Sequence, residues 1–142
     1  YIILMLVCAN CRNTRTQQVA ESATNQSINF IENDWVKAQT LAKQSNKLIF
    51  IDVYATWCGP CTQLKKTTFR NPKVSEFFNS NFINLSIDAE KGIGPQISSA
   101  YGVAAYPTLL FVKPDGKSVL YAEGFMPSDY LIDLGKQALQ SN

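Results

Sequence analysis

The stretch LIFIDVYATWCGPCTQLKKTTFRNPKV, residues 48–74, sets the frame for the rest of the chain. Residues 48–55 are nearly continuous in apolar and β-branched side chains, as a central strand covered on both faces requires, and Asp52 is the one interruption. Cys58 and Cys61 follow at once, opening a segment in which Leu64, Thr67 and Thr68 suit a helix. That helix should stop near Asn71-Pro72, because proline disfavours helix in the residue before it. Cysteines at i and i+3 on one helical face fall within the Cα separation of about 4.4–6.8 Å that a disulfide needs, so the pair can cycle between dithiol and disulfide.

The two sulfurs should differ. Cys58 falls at the helix N-terminus, where unpaired N–H groups and the positive end of the dipole favour a thiolate, so it is the expected nucleophile. Cys61, one turn inside, would stay protonated until it attacks the mixed disulfide and releases the substrate. Gly59 permits close approach of a partner backbone, and Pro60 near the helix start loses no needed hydrogen bond. Trp57 should pack beside the thiolate and shield one side. Two plainer readings compete. A zinc site would need Cys8 and Cys11 as well, which lie far outside the usual spacing of about 15–20 residues between such pairs. A structural disulfide would close a very small loop and constrain the unfolded chain little.

Asp52 must be largely buried within LIFIDVY, and burial raises an acid's pKa. It could point beneath Cys61 and accept the resolving thiol's proton, directly or through water. The alternative is a buried acid satisfied by a backbone or hydroxyl partner. Tyr106-Pro107 opens the run PTLLFV, where a cis bond and an ordinary trans strand-opening proline are both open.

Outward from this centre, Trp35, Ala38, Leu41 and Ala42 recur at helical spacing from Asp34 to about Gln44, with Asn33 or Asp34 as N-cap. PKVSEFFNSN, residues 72–81, makes a second helical piece, and FINLSID, residues 82–88, alternates as a strand. A short helix follows from Gly94, ended by Gly102. PTLLFV (107–112) and SVLYAEG (118–124) flank a Pro-Asp-Gly turn and predict an antiparallel hairpin. The last helix spans about 127–140, with Tyr130, Leu131, Leu134 and Ala138 on its buried side. Strands separated by helices and closed by a hairpin indicate an α/β sandwich, part parallel and part antiparallel.

The chain has 142 residues, 46% of them hydrophobic, with a net charge of +2, four cysteines and no histidine. One domain with a real core fits that length. The missing imidazole excludes Ser-His and Cys-His catalysis and His-containing zinc sites, and the balanced charge argues against nucleic acid as a partner. Residues 1–9, YIILMLVCA, are too short to span a membrane but suit the apolar core of a secretory signal whose start lies upstream of Tyr1. Cleavage after Val7-Cys8-Ala9 or lipidation of Cys8 or Cys11 are the two processing outcomes. A buried strand is the alternative for this run. Residues 10–29 read as a flexible polar tether, and residues 30–142 as the folded domain.

FIDVYATWCGPC followed by AAYPTLLFV resembles the thioredoxin family over roughly residues 33–140. Within it, YATWCGPCTQLKKTTFRNPKV is most similar to exported members, including the periplasmic C-terminal domain of the bacterial transmembrane thiol:disulfide interchange reductase. The resemblance implies a thioredoxin fold, with a central mixed β-sheet flanked by helices. It implies Cys58 as attacking thiol, Cys61 as resolving thiol, Asp52 as the buried acid and Pro107 as a cis-proline facing the cysteines. Tyr106 and Thr108 would lend backbone groups to an extended substrate segment, and Gly124 would lie beside the active-site surface. No metal and no cofactor beyond the redox-active disulfide are implied. The expected partners are disulfide-containing proteins and a membrane or soluble thiol electron donor, with the chain acting as a monomer in the periplasm or another extracytoplasmic space. Three positions depart from cytosolic thioredoxins: Tyr54 replaces Trp, Thr62 replaces Lys, and Asn84 replaces the sheet lysine that partners the buried acid.

Overall fold

The computed structural model describes residues 26–142, so the expected signal segment, Cys8, Cys11 and the tether up to residue 25 lie outside the described residues. Its elements run β1 (Phe30–Glu32), α1 (Trp35–Ser45), β2 (Leu48–Tyr54), α2 (Gly59–Lys66), a 3-10 turn (Thr68–Arg70), α3 (Pro72–Asn81), β3 (Phe82–Asp88), α4 (Gly94–Ala100), β4 (Thr108–Val112), β5 (Ser118–Glu123) and α5 (Ser128–Gln140). The strands form one sheet in the order β1-β3-β2-β4-β5. β1, β3 and β2 are parallel, and β4 and β5 complete the sheet antiparallel.

β2 is the central strand because both of its faces are apolar. Ile49, Ile51 and Val53 pack with Ala38 and Ala42 of α1 and Ile97 of α4. Leu48 and Phe50 pack on the other side with Leu64 of α2, Val74 and Phe78 of α3, and Leu131 and Leu134 of α5. The result is a three-layer arrangement with helices on both faces of a mixed sheet.

Local chemistry sets most of the boundaries. The Asp34 carboxylate accepts the Lys37 N–H at 2.9 Å and caps α1, whose other end closes on Asn46 in the left-handed region at φ 52°. Asn71 caps α3 by accepting the Lys73 N–H at 3.0 Å, with Pro72 as its first residue. The helix expected to reach Asn71 breaks earlier, at Thr67, into the 3-10 turn, and the buried Thr68 hydroxyl instead donates to the Met126 carbonyl at 2.7 Å.

Three expectations are corrected. β1 lies outside the strands that periodicity predicts, because three residues show no period, yet it pairs from Phe30↔Asn84 to Glu32↔Ser86. Ile28, assigned to the tether, is buried, and its N–H donates to the Phe69 carbonyl at 2.9 Å, so the end of that segment is docked. Tyr130, assigned to the buried side of α5, is 54% exposed. The inward stripe of that helix centres on Leu131, Leu134, Gly135 and Ala138, at i, i+3, i+4 and i+7, and leaves Tyr130 on its flank.

Candidate active site

β2 delivers the chain to the sheet's C-terminal edge, a short turn carries it through Trp57, and α2 begins at Gly59. Cys58 occupies the N-cap of α2 in extended conformation, with φ −80° and ψ 113°. Its Sγ accepts the Cys61 N–H at 3.2 Å, the contact that would hold a thiolate there once the pair is reduced. In the structure Cys58 and Cys61 are joined as a disulfide with Cα atoms 5.3 Å apart. Pro60 falls in the first turn of α2, where its missing N–H costs nothing. Both cysteines are nearly covered, packed with Ala55 against Tyr54 and Tyr106.

Side chains alternate along β2, so Phe50, Asp52 and Tyr54 share one face. Phe50 belongs to the core beneath α2, and Tyr54 packs on the cysteine pair, which places Asp52 between core and disulfide. It is 1% exposed. Its Oδ2 accepts from the Ser86 hydroxyl at 3.3 Å, whereas Oδ1 has no partner. Burial pushes the carboxyl up to about 7, and the Lys65 ammonium and the Ser86 hydrogen bond only partly oppose that rise. An acid poised there can both take and return a proton near neutrality.

The Tyr106–Pro107 bond is cis, and β4 starts immediately after it. Tyr106, which packs on the cysteine pair, also meets Trp57 edge-on with ring centroids 5.9 Å apart, joining the two loops. Gly124, at φ 88°, donates its N–H to the Pro107 carbonyl at 2.8 Å, so a left-handed residue pins the proline loop. Thr108 is fully buried between Val53 of β2 and Glu123 of β5, with its hydroxyl on the Ala105 carbonyl at 2.8 Å. Of the two residues expected to offer backbone to a substrate, Tyr106 is therefore the more accessible. Trp57 is 71% exposed, and rather than covering the cysteines closely its indole N–H donates to Glu90.

Four contributors were not singled out from the sequence. Glu90 holds the Trp57 indole, Ser86 binds Asp52, and Lys65 and Glu32 act on Asp52 electrostatically. Lys65 carried a readable signal, since it lies four residues after Cys61 on the same helical face; its ammonium rests 3.1 Å from the centre of the Tyr54 ring. Asn84, at the position of the family's lysine, turns instead to the Phe78 carbonyl and Asn79 Oδ1, both at 3.3 Å. The cation acting on Asp52 thus comes from α2 rather than from the sheet.

Residues 35–139 match the family described as Thioredoxin-like domain. The chain is 36% identical over 100 residues to Thioredoxin Y2, chloroplastic, of Arabidopsis thaliana, covering 70% of this chain and 56% of that one. It is 28% identical over 123 residues to Thiol:disulfide interchange protein DsbD of Haemophilus influenzae, covering 82% of this chain and 21% of the relative. The chain therefore spans little more than half of the first relative's length and about a fifth of the second's. Among solved structures, a candidate disulphide-isomerase from Bacteroides thetaiotaomicron is 38% identical, with a TM-score of 0.74 over 84% of this chain and 99% of that one. The C-terminal domain of Neisseria meningitidis DsbD shares the fold at 24% identity, with a TM-score of 0.61 over 72% of this chain and 90% of that one. A disulfide-forming pair at a helix N-cap, a buried acid behind it and a cis-proline loop beside it accord with that match, and the chain belongs to the thioredoxin-like family of thiol-disulfide oxidoreductases.

Proposed function

We propose that this protein reduces disulfide bonds of other proteins outside the cytoplasm. The observation that carries the reading is the Cys58–Cys61 disulfide at the N-cap of α2, with Asp52 buried behind it. In the reduced enzyme the Cys58 thiolate attacks a substrate disulfide, forming a mixed disulfide and expelling one substrate thiolate. Cys61 then loses its proton to Asp52 and attacks the Cys58 sulfur. The bond between Cys58 and the substrate breaks, the second substrate thiolate leaves, and the enzyme holds the disulfide seen here. Each turnover moves two electrons to the substrate, so a thiol donor, membrane-bound or soluble, must re-reduce the pair. Tyr106, ahead of β4, offers main chain for an extended substrate segment.

Direction depends on potential. The likeness to a candidate disulphide-isomerase favours isomerisation as the second reading. A Cys58–Cys61 couple near −270 mV supports the reductase, while one near −120 mV makes the protein an oxidant. Turnover itself is tested by insulin reduction with a reducing system: wild type should precipitate insulin, Cys58→Ser should not, and Cys61→Ser should accumulate a mixed disulfide. Equal turnover by Cys58→Ser would sink the mechanism.

The extracytoplasmic placement is supported by the apolar run at residues 1–9 and by the likeness to DsbD. Among the described residues no helix is long and apolar enough to cross a membrane; lipidation of Cys8 or Cys11 would supply a tether. Mass spectrometry of the mature N-terminus checks this, and an unprocessed, unmodified residue 1–9 segment on a cytosolic protein would overturn it.

A further inference from the structure

Ser86, whose hydroxyl binds Asp52, also lines a cavity of about 240 Å³, walled by Glu32 of β1, Lys65 of α2 and Arg70 after it. That volume holds several waters, and its charged and hydroxyl groups supply the partners that ordered water needs. None of Trp57, Cys58, Cys61, Tyr106 or Pro107 borders it, so it lies away from the face where a substrate would dock. Of the residues that line it, Glu32 is exposed and Ser86 is buried.

We propose that the proton Asp52 takes from Cys61 leaves through Ser86 and this cavity, with Lys65 and Glu32 as the positioning residues that govern its release. The proposal rests on the reductase reading above. In the step concerned, the S–H bond of Cys61 breaks and an O–H bond forms on Asp52. The Ser86 hydroxyl then accepts that proton while passing its own to water in the cavity, and Asp52 returns to the carboxylate. No electrons move in this relay; they pass between sulfurs. Because the exit is separate from the docking face, the enzyme can discharge its proton while a substrate still covers the cysteines.

The charged and titratable groups around Asp52 are few. Lys65 from α2 favours its anion and Glu32 from β1 opposes it, while Tyr54 lies next but one along β2 and Asp88 next but one beyond Ser86 along β3. β4 presents only Leu109 opposite it. Charge at the cavity mouth should therefore be felt at Asp52 with little competition.

The test follows the Asp52 carboxyl by carbon NMR titration in the full chain, alongside the pH profile of insulin reduction. Lys65→Met should move the Asp52 midpoint upward by about half a unit or more and carry the acid limb of the profile with it; Lys65→Arg should restore both. Glu32→Gln, an exposed substitution that leaves the core intact, should move the midpoint downward. Ser86→Ala should leave decay of the mixed disulfide in the first turnover unchanged, because Asp52 then starts as the carboxylate, but slow later turnovers about tenfold. An Asp52 midpoint unmoved by both Lys65→Met and Glu32→Gln, or later turnovers as fast in Ser86→Ala as in wild type, overturns the proposal. Wild type that fails to reduce insulin would instead remove the reductase reading, a result distinct from these.

Discussion

Asp52 shows how much a single side chain's chemistry depends on what covers it. An exposed aspartate would be ionised throughout the working range, whereas this one, 1% exposed and with one oxygen unpartnered, is raised from 3.8 to about 7. The native state therefore binds a proton that the unfolded chain releases, and stability falls as pH rises from about 4 to about 7. At about 1.4 kcal/mol per unit this is on the order of 4 kcal/mol, present as a deficit above that window and absent below it. Asp52→Asn should consequently be more stable than wild type at pH 8.5 by that amount, and equal to it near pH 3.5, in urea unfolding at the two pH values. Under the proposed mechanism the same variant should also lose most insulin-reducing turnover at the resolving step, because asparagine cannot accept the Cys61 proton. Equal stability at both pH values would show that Asp52 titrates normally. The sequence announced this residue by its place inside an apolar run, but not its partners. Ser86, Lys65 and Glu32 belong to three different elements and meet only when β1, β3 and α2 assemble around β2.

Elements were legible where local chemistry defines their ends. Asp34 and Asn71 cap helices that a reader can mark from the chain alone, and the Pro-Asp-Gly turn gives a hairpin with Gly116 at φ 90°. β1 was not legible, because its pairing is bought entirely by β3: Asn33 donates its N–H to the Ser86 carbonyl and its side chain accepts the Asp88 N–H, both at 2.8 Å. α5 reveals another constraint that periodicity hides. Gly135 faces α3 so closely that a Cβ there would lie 2.7 Å from Phe77 Cε1 and 3.3 Å from Phe78 Cζ. Gly135→Ala should therefore destabilise the protein by about 1–3 kcal/mol, although alanine is the better helix former. A gain in denaturation midpoint would mean that the Phe77 ring moves aside freely.

At the scale of the molecule, the site depends on the rigidity of the sheet beneath it. Phe50, on the same face as Asp52, meets the rings of Phe78, Phe111, Phe30 and Phe69 at centroid distances of 4.6, 5.1, 6.2 and 6.2 Å. Such a cluster joins β1, β2, β4, α3 and the 3-10 turn in one contact set. Phe50→Ala should cost about 3–5 kcal/mol in chemical denaturation and, through the strand they share, loosen Asp52. A loss under 1 kcal/mol would show that the cluster collapses around the void.

The sequence alone determined the cysteine pair able to form a disulfide, the central strand and the helix that follows it, because each rests on neighbours along the chain: apolar continuity, an i, i+3 spacing, a proline at a helix start. It also implied the family, through residues 50–61 and 104–112. Tertiary structure decided the rest. A cation on α2 rather than β3, the docked Ile28, the unexpected β1 and the cavity behind Ser86 all arise from contacts between segments distant in sequence. Burial, which sets the acidity of Asp52 and shapes that cavity, is a property of the packed molecule and not of any stretch of its chain.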